Sequence, residues 1–461
     1  MSVFRAGALP TGGVMTARRV GRRRKPLPAD VFEPVMVGVV DVAGPIPAIT
    51  TALDPNGDAY RYALSYVRWG GIAVGVAAVS LSPSGVTAAE HAAAIWAALE
   101  KPLRRHATTG GVTIAPLGEF GLGEPAQSRS HPAPPHVTVI VATRDRAALL
   151  DRCLQSLLAL PYPSFDVIVV DNAPATDETS RLVAERYGEE PRLRRIHEDR
   201  PGLGIAHNAG LAVASGSIVA FTDDDVVVDA HWLDALVSPF MDSQVGCVTG
   251  MIVPARLDTV AQWWLEGYAG FSKGFEPQIY DLDCNRPTDS LFPYAAGKLG
   301  SGANMAFRTD VLRAMGGFDI ALGAGSGAFG GDDLAAFFEV VTKGHRLVYQ
   351  PAAMVRHDHH ATEGALRRQV FGYGAGLTAF LTRTVIEQPS RIIPMIARAP
   401  KALRYATAPS SDRNRRRPQD FPTGLRVREL AGMAVGPGAY LRTRWRRRHF
   451  TSTVTGSTGE V

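Results

Sequence analysis

The sequence predicts an α/β fold built on a mostly parallel sheet flanked by helices. Three observations carry this expectation. Continuous apolar runs at Val137–Ala142, Val167–Val170 and Ile218–Phe221 lack alternation, so they read as strands buried on both faces. Amphipathic stretches at Ala147–Leu160, Glu178–Tyr187 and Ile205–Ala214 read as helices interleaved with those strands. Each apolar run ends in a polar turn, and in such sheets ligands bind beyond the carboxyl ends of the strands.

Along the chain, residues 1–32 are expected to be a disordered basic tail, carrying Arg18, Arg19, Arg22, Arg23, Arg24 and Lys25. A small α+β domain is expected over 33–106. Val35–Val42 reads as a strand, Tyr62–Trp69 and Ile72–Leu81 as a hairpin about Gly70-Gly71, and Thr87–Leu99 as a helix. Residues 107–135 are rich in Gly, Pro, Ala and Ser and read as a linker. The principal α/β domain spans 136–360. Residues 361–449 form a helical, basic C-terminal extension, and 450–461 a disordered tail.

The 461 residues are 46% hydrophobic and 20% charged, which excludes wholesale disorder and permits a large core. Three cysteines without a CxxC pair support neither a zinc ribbon nor a disulfide framework, and point to a reducing compartment. No secretory signal is expected, and the longest apolar runs fall short of the roughly 20 residues that span a bilayer. The net charge of +5 divides unevenly: +6 over 1–30, −11 over 31–397 and +10 over 398–461. The basic ends suit an anionic surface, and the acidic body suits a cation.

Candidate chemistry sits after the strands. The first is followed by Thr143-Arg144-Asp145-Arg146, the second by Asp171-Asn172-Ala173-Pro174, the third by Thr222 and then Asp223-Asp224-Asp225. Three consecutive carboxylates repel one another, and a divalent cation relieves that repulsion. Asp223 and Asp225 point the same way in an extended turn, and hard oxygen ligands suit magnesium or manganese. A solvated acidic turn is the ordinary alternative. Asp332-Asp333 opens a helix after the Gly-rich stretch Gly323–Gly331. One acid there serves as cap while the other stays ionised as a general base for a hydroxyl. His357 closes the run Ala352–Arg356 and is a candidate metal ligand, with His359 on the same strand face as a competing choice. Gly202-Leu203-Gly204 lacks the third glycine of a dinucleotide fingerprint, because His207 stands there. No GxxxxGK[ST] phosphate loop exists.

Taken in order, Val137–Arg146, Val167–Pro174, Gly204–Gly210, Phe221–Asp225, Gly300–Arg308, Gly316–Asp319, Gly331–Asp333 and Val355–His357 form a series. It resembles the family 2 glycosyltransferases of the GT-A, Rossmann-like fold over about 136–360. The resemblance implies an inverting, metal-dependent hexosyltransferase moving a sugar from a nucleotide-diphosphate donor to a hydroxyl acceptor. Thr143, Arg144, Asp171 and Asp223 are implied to bind the nucleotide. Asp225, Asp223 and His357 are implied to hold Mn2+ or Mg2+, and Asn304 and Gly302 to lie near the donor sugar or the acceptor. Asp333 matches the position of the base, and Asp332, where the family usually has Glu, supports it.

No Gln-x-x-Arg-Trp motif follows, so a transferase adding one sugar or a few is expected rather than a polymerase. The acceptor classes implied are a glycan, a lipid-linked saccharide, or another envelope or secondary-metabolite acceptor. The expected location is cytoplasmic, with peripheral attachment at the inner face of the membrane through the basic segment Leu441–Phe450. A nucleic-acid partner is not expected, since no reader motif accompanies the basic tails. The competing readings are a catalytically silent nucleotide-sugar-binding or assembly module and a sugar-1-phosphate nucleotidylyltransferase. The latter wants a Gly-rich loop after the first strand, where Ala142–Asp145 has none.

Overall fold

The computed structural model describes residues 32–109, 112–125, 134–408, 410–415 and 421–455. The basic tail expected over 1–32 lies outside these but for its last residue, as do residues 456–461 of the C-terminal tail.

The N-terminal unit contains β1 (Met36–Asp41), β2 (Tyr62–Trp69), β3 (Ile72–Ser80) and α1 (Ala88–Thr109). β1 runs parallel to β2, and β2 and β3 form the expected hairpin, with φ of 52° and 79° at Gly70 and Gly71. α1 covers this sheet through Ile95, Leu99 and Leu103. The linker expected over 107–135 is corrected over its described part, residues 110–111 and 126–133 lying outside the described residues. Residues 107–109 finish α1, and 112–125 return across the small sheet, burying Ile114 and Leu117. Leu122 N donates to Val42 O at 2.7 Å and Trp69 Nε1 to Gly123 O at 2.7 Å. The other face of the unit packs on the main domain, where Leu64 and Tyr66 meet Met251, Val253 and Tyr349.

The main domain follows as β4 (Val137–Thr143), α2 (Ala147–Leu158), β5 (Phe165–Asn172), α3 (Glu178–Tyr187), β6 (Leu193–Glu198), α4 (Leu203–Val213), β7 (Ile218–Asp223), β8 (Val226–Val228) and α5 (Trp232–Val237). It continues with β9 (Val245–Pro254), α6 (Val260–Ala269), β10 (Gln278–Tyr280), β11 (Asn304–Arg308), α7 (Thr309–Ala314), α8 (Asp332–Thr342) and β12 (Arg346–His357). The sheet order is β10-β12-β9-β11-β7-β4-β5-β6, with β8 paired to β12. β6, β5, β4 and β7 are mutually parallel, as are β9 and β12, while β11 inserts antiparallel between β7 and β9. The expected mostly parallel sheet is therefore mixed: β11 runs antiparallel in its middle, and β10 and β8 run antiparallel to β12.

The continuous apolar runs are explained by this sheet. Val137, Val139 and Val141 of β4 enter one core and Ile140 the other; Val167 and Val169 of β5 divide from Ile168 and Val170 in the same way. Successive side chains point to opposite faces, and both faces are covered by helices.

The C-terminal region holds α9 (Glu363–Glu387), α10 (Ile392–Thr407), α11 (Asp412–Arg415) and α12 (Thr423–Thr455). α12 runs on to Thr455, so the expected tail is helical over its first residues. α9 and α12 meet through glycines. A Cβ at Gly374 would stand 2.1 Å from Glu429 O, and one at Gly432 2.1 Å from Phe371 O. Thr378 Oγ1 donates to Met433 O at 2.9 Å across the same contact. Tyr440 is fully buried, and its hydroxyl donates to Asp319 Oδ2 at 2.9 Å. Arg383 bridges Asp319 and Glu339 at 3.2 and 2.9 Å. The extension is thus bonded into the main domain. Among the described residues no helix is long and apolar enough to cross a membrane.

Close helix contact at Gly432 leaves no room for a methyl group, whereas Gly438 has nothing within 4 Å. Gly432→Ala is expected to lower stability by about 1–3 kcal/mol. Gly438→Ala, exposed on the same helix, is expected to raise it by up to about 1 kcal/mol. Urea unfolding of the two variants checks the contrast; equal effects would refute the tight contact.

Candidate active site

The parallel strands bring their carboxyl ends together. Register places Thr143 of β4 beside Asp171 of β5, and Ala142 beside Asp223 of β7. The three acidic residues after β7 then receive different surroundings. Asp224 is buried, accepting from Thr143 Oγ1 at 2.7 Å and from Arg146 Nη1 at 3.2 Å. Asp225 accepts from the same Arg146 nitrogen through Oδ2 at 3.3 Å. Its other oxygen, Oδ1, is buried without a hydrogen-bond partner and stands 3.3 Å from His357 Nε2. Burial, then the charges of Asp225 and Asp224, push the Asp223 carboxyl well above the ordinary aspartate range.

Asp223, Asp225 and His357 each offer one ligand atom, and these atoms lie within 4.8 Å of one another. His357 ends β12, which pairs with β8 just after the acidic turn and so brings the ring to it. Its Nδ1 lies 2.8 Å from Nδ1 of His359, whose Nε2 lies 3.0 Å from Glu266 Oε2 on α6. The Glu266 carboxylate can only accept, so His359 donates to it through Nε2–H. His359 Nδ1 then accepts from His357 Nδ1–H, and the lone pair of His357 Nε2 faces the unpartnered Asp225 oxygen. Two lone pairs aimed at each other in a buried site fit a cation between them. Burial holds the His357 imidazole at about 4, neutral as a ligand requires. His359, the competing choice in the sequence, lies behind His357.

The predicted nucleotide residues differ in their circumstances. Asp171 is buried, pairs with Arg195 at 3.0 Å through Oδ2, and leaves Oδ1 without a partner. Arg144 is exposed on the turn after β4. The Thr143 hydroxyl donates to Asp224, so its side chain also shapes the acidic turn. The Gly202–Gly204 segment that mimics a dinucleotide loop is a packing feature. Asn172 Oδ1 accepts from Gly202 N at 3.0 Å, and a Cβ at Gly204 would stand 3.0 Å from Asp319 O.

Asp332 and Asp333 begin α8, after Gly331 with φ 90°. Asp333 is half-buried; its Oδ2 accepts from Gly302 N at 3.0 Å and its Oδ1 from Leu334 N at 2.8 Å. Gly302 therefore reaches the site through its backbone, and a Cβ there would lie 3.3 Å from Asp333 Cβ. Asp332 is buried 3.8 Å from His207 Nδ1, and burial with the neighbouring Asp333 lifts its carboxyl to about 7. Burial also raises Asp333, against the hydrogen bonds that lower it.

Asn304 corrects an expectation. It has no exposed surface, and its amide is fully engaged: Oδ1 accepts from Trp232 Nε1 at 2.9 Å, and Nδ2 donates to Met251 O and Ala353 O, each at 2.9 Å. It fastens β11 to β9, β12 and α5 and cannot touch donor or acceptor. The sequence did not single out Arg146 as the partner of the acidic turn, nor Glu266, Lys273 and Tyr373, which lie on elements distant in sequence. Lys273, Arg146, Tyr373, Asp223, Asp225 and Asp333 all line one cleft of about 1470 Å³.

Known proteins resemble this chain over the same region. The glycosyl transferase family 2 sequence profile matches residues 138–316. A pre-mycofactocin glycosyltransferase of Mycobacterium tuberculosis is 27% identical over 275 residues, 58% of this chain; the alignment spans about half of that relative, 52%. An O-antigen biosynthesis protein of Myxococcus xanthus is 33% identical over 154 residues, covering 33% of this chain and 12% of that protein. A mannosyltransferase of Pyrobaculum calidifontis, solved with GDP-Man and Mn2+, superposes with a TM-score of 0.45 at 20% identity, covering 66% of this chain and 88% of its own. The ordered strand-end motifs and the profile match together identify residues 138–316 as a family 2 glycosyl transferase domain.

Proposed function

We propose that this chain moves a sugar from a nucleotide-diphosphate donor to an acceptor hydroxyl, inverting the anomeric carbon, with Mn2+ or Mg2+ as cofactor. The observation that carries this reading is the convergence of Asp223, Asp225 and His357 in the cleft that holds Asp333. When bound there, the cation neutralises charge on the departing diphosphate.

The chain's own residues account for the other parts. Asp171, with its unpartnered buried oxygen, accepts a hydrogen bond from the base or ribose, and Arg144 lies on the adjoining turn. Asp333 holds two backbone N–H groups, which fix its orientation and favour the carboxylate, while burial makes that carboxylate more basic. It takes the proton of the acceptor hydroxyl. The hydroxyl oxygen bonds to the anomeric carbon from the face opposite the diphosphate, and the carbon–oxygen bond to the diphosphate breaks with its electron pair leaving on that oxygen. The transition state resembles an oxocarbenium ion, as in glycoside hydrolysis. Asp332, beside it and lifted to about 7, helps to hold the acceptor. A glycan or lipid-linked saccharide acceptor, met at the cytoplasmic face of a membrane, is part of this reading. The charge of the C-terminal region supports it, although Arg444 and Arg447 already bond to Tyr440 and Pro201.

Asp225→Asn is expected to weaken cation-dependent donor binding by more than the roughly 10–100-fold that loss of an outer-shell partner costs. Calorimetric titration of UDP-, dTDP- and GDP-sugars with and without manganese checks this, and no stabilisation by any of them would refute the reading. Asp333→Asn is expected to retain donor binding and lose about 10²–10⁴-fold in turnover. In the wild type, kcat/KM should fall as pH drops through a value above the ordinary aspartate pKa of about 3.9, because only the ionised Asp333 accepts the proton. An acid limb at the ordinary value, or normal turnover in the variant, would move the base elsewhere.

A further inference from the structure

The cleft has room for two substrates, and one wall of it is largely apolar, with Arg398 and Tyr405 among its polar members. Small-molecule sites occupy roughly 300–1,000 Å³, and this one measures about 1470 Å³. Beyond the acidic centre, its wall is formed by α10, whose Ile392, Met395, Ile396, Ala399, Leu403 and Ala406 recur at helical spacing and all line the cleft. Facing residues include Leu377 and Leu381 of α9 and Leu430 and Met433 of α12. No residue of α10 is buried; Ile396 is 66% and Leu403 65% exposed. An apolar stripe left open inside a concave site is unfavourable in water unless something covers it.

The stripe opens into the same cleft as Asp333, so its occupant is a substrate of that site. Of the two substrates in the proposed function, the nucleotide-diphosphate donor is polar and belongs with Asp171, Asp223 and Asp225. We infer that the acceptor is a single-chain amphiphile, whose hydroxylated head reaches Asp333 and whose alkyl or isoprenoid chain lies along α10 between α9 and α12. This rests on the transferase reading and adds the class of acceptor. The helix is held at a few points: Met395 packs part-buried against the main core, Arg398 Nε donates to Ser290 O at 3.0 Å, and Lys298 Nζ stands 4.2 Å from the Tyr405 ring. Such tethers leave the rest of the stripe free for a chain.

The test uses the full-length protein and n-octyl, n-nonyl and n-decyl β-D-glucoside below their micelle-forming concentrations, with binding read by calorimetry. Affinity is expected to rise roughly three- to fourfold per methylene, from the transfer free energy of a buried CH2. Ile396→Asp and Leu403→Asp, at positions exposed enough to spare folding, are expected to abolish that dependence. Ile393→Asp, 75% exposed and outside the cleft, should keep it. Affinity independent of chain length, or undiminished in the two cleft variants, would overturn the inference. So would binding to phosphatidylglycerol vesicles, but not to monomeric glucosides, that the cleft variants abolish; α10 would then be a membrane-docking face. Self-association that the same variants abolish would overturn it in favour of a second copy. Hydrolysis of the nucleotide-sugar by the wild-type protein is measured separately. Hydrolysis without chain-length dependence refutes this inference alone, whereas no donor binding or hydrolysis at all refutes the transferase reading beneath it.

Discussion

Three carboxylates in succession at the end of a buried strand are the constraint around which the site is organised. Left alone in a low-dielectric setting they would repel and take up protons. The fold gives each a different environment. Asp224 is turned inward to Thr143 and Arg146, Asp225 is shared between Arg146 and Nε2 of His357, and Asp223 remains raised by burial and by its neighbours. What is unbalanced after this division is one unpartnered oxygen of Asp225 opposite a histidine lone pair. A cation would resolve that imbalance, and the Glu266–His359–His357 chain orients the ring that would bind it.

The distant parts of the chain serve that arrangement. β12 carries His357 to the acidic turn, and its alignment with β9 passes through a shift between Gln350 and Met354, where Pro351 cannot donate to the ladder. Asn304 ties β11 to both strands from within the core. α9 and α12 approach closely enough, through Gly374 and Gly432, to form one side of the cleft. The N-terminal unit lies against the sheet through Leu64 and Tyr66, and none of its described residues lines the cleft.

The parallel half of the sheet was legible because runs such as Val137–Ala142 and Val167–Val170 show a strand buried on both faces directly. Asp223, Asp225 and His357 were legible as candidates from their places directly after apolar runs, and the family resemblance joined them into one ligand set, since each alone fits a bland structural role. Asn304 misled for the same reason: it belongs to a recurring motif, and position in a motif does not reveal whether an amide faces a ligand or the core. β11 was not recognised, because five residues beginning with Asn have too short a pattern to declare a strand. Glu266 and Arg146 acquire their roles from pairings across the fold that local sequence does not encode. The Gly/Pro-rich segment after α1 was read as a linker from composition, yet Ile114 and Leu117 give it a buried face.

The most direct measurement is an anomalous difference map from crystals grown with manganese and a nucleoside diphosphate. A single strong peak bonded to carboxylate oxygens of Asp223 and Asp225 and to Nε2 of His357, with His359 unligated behind it, is the expected result. A peak at another site, or manganese bound through His359 with His357 turned away, would contradict the central claim that these three residues are the cation's ligands.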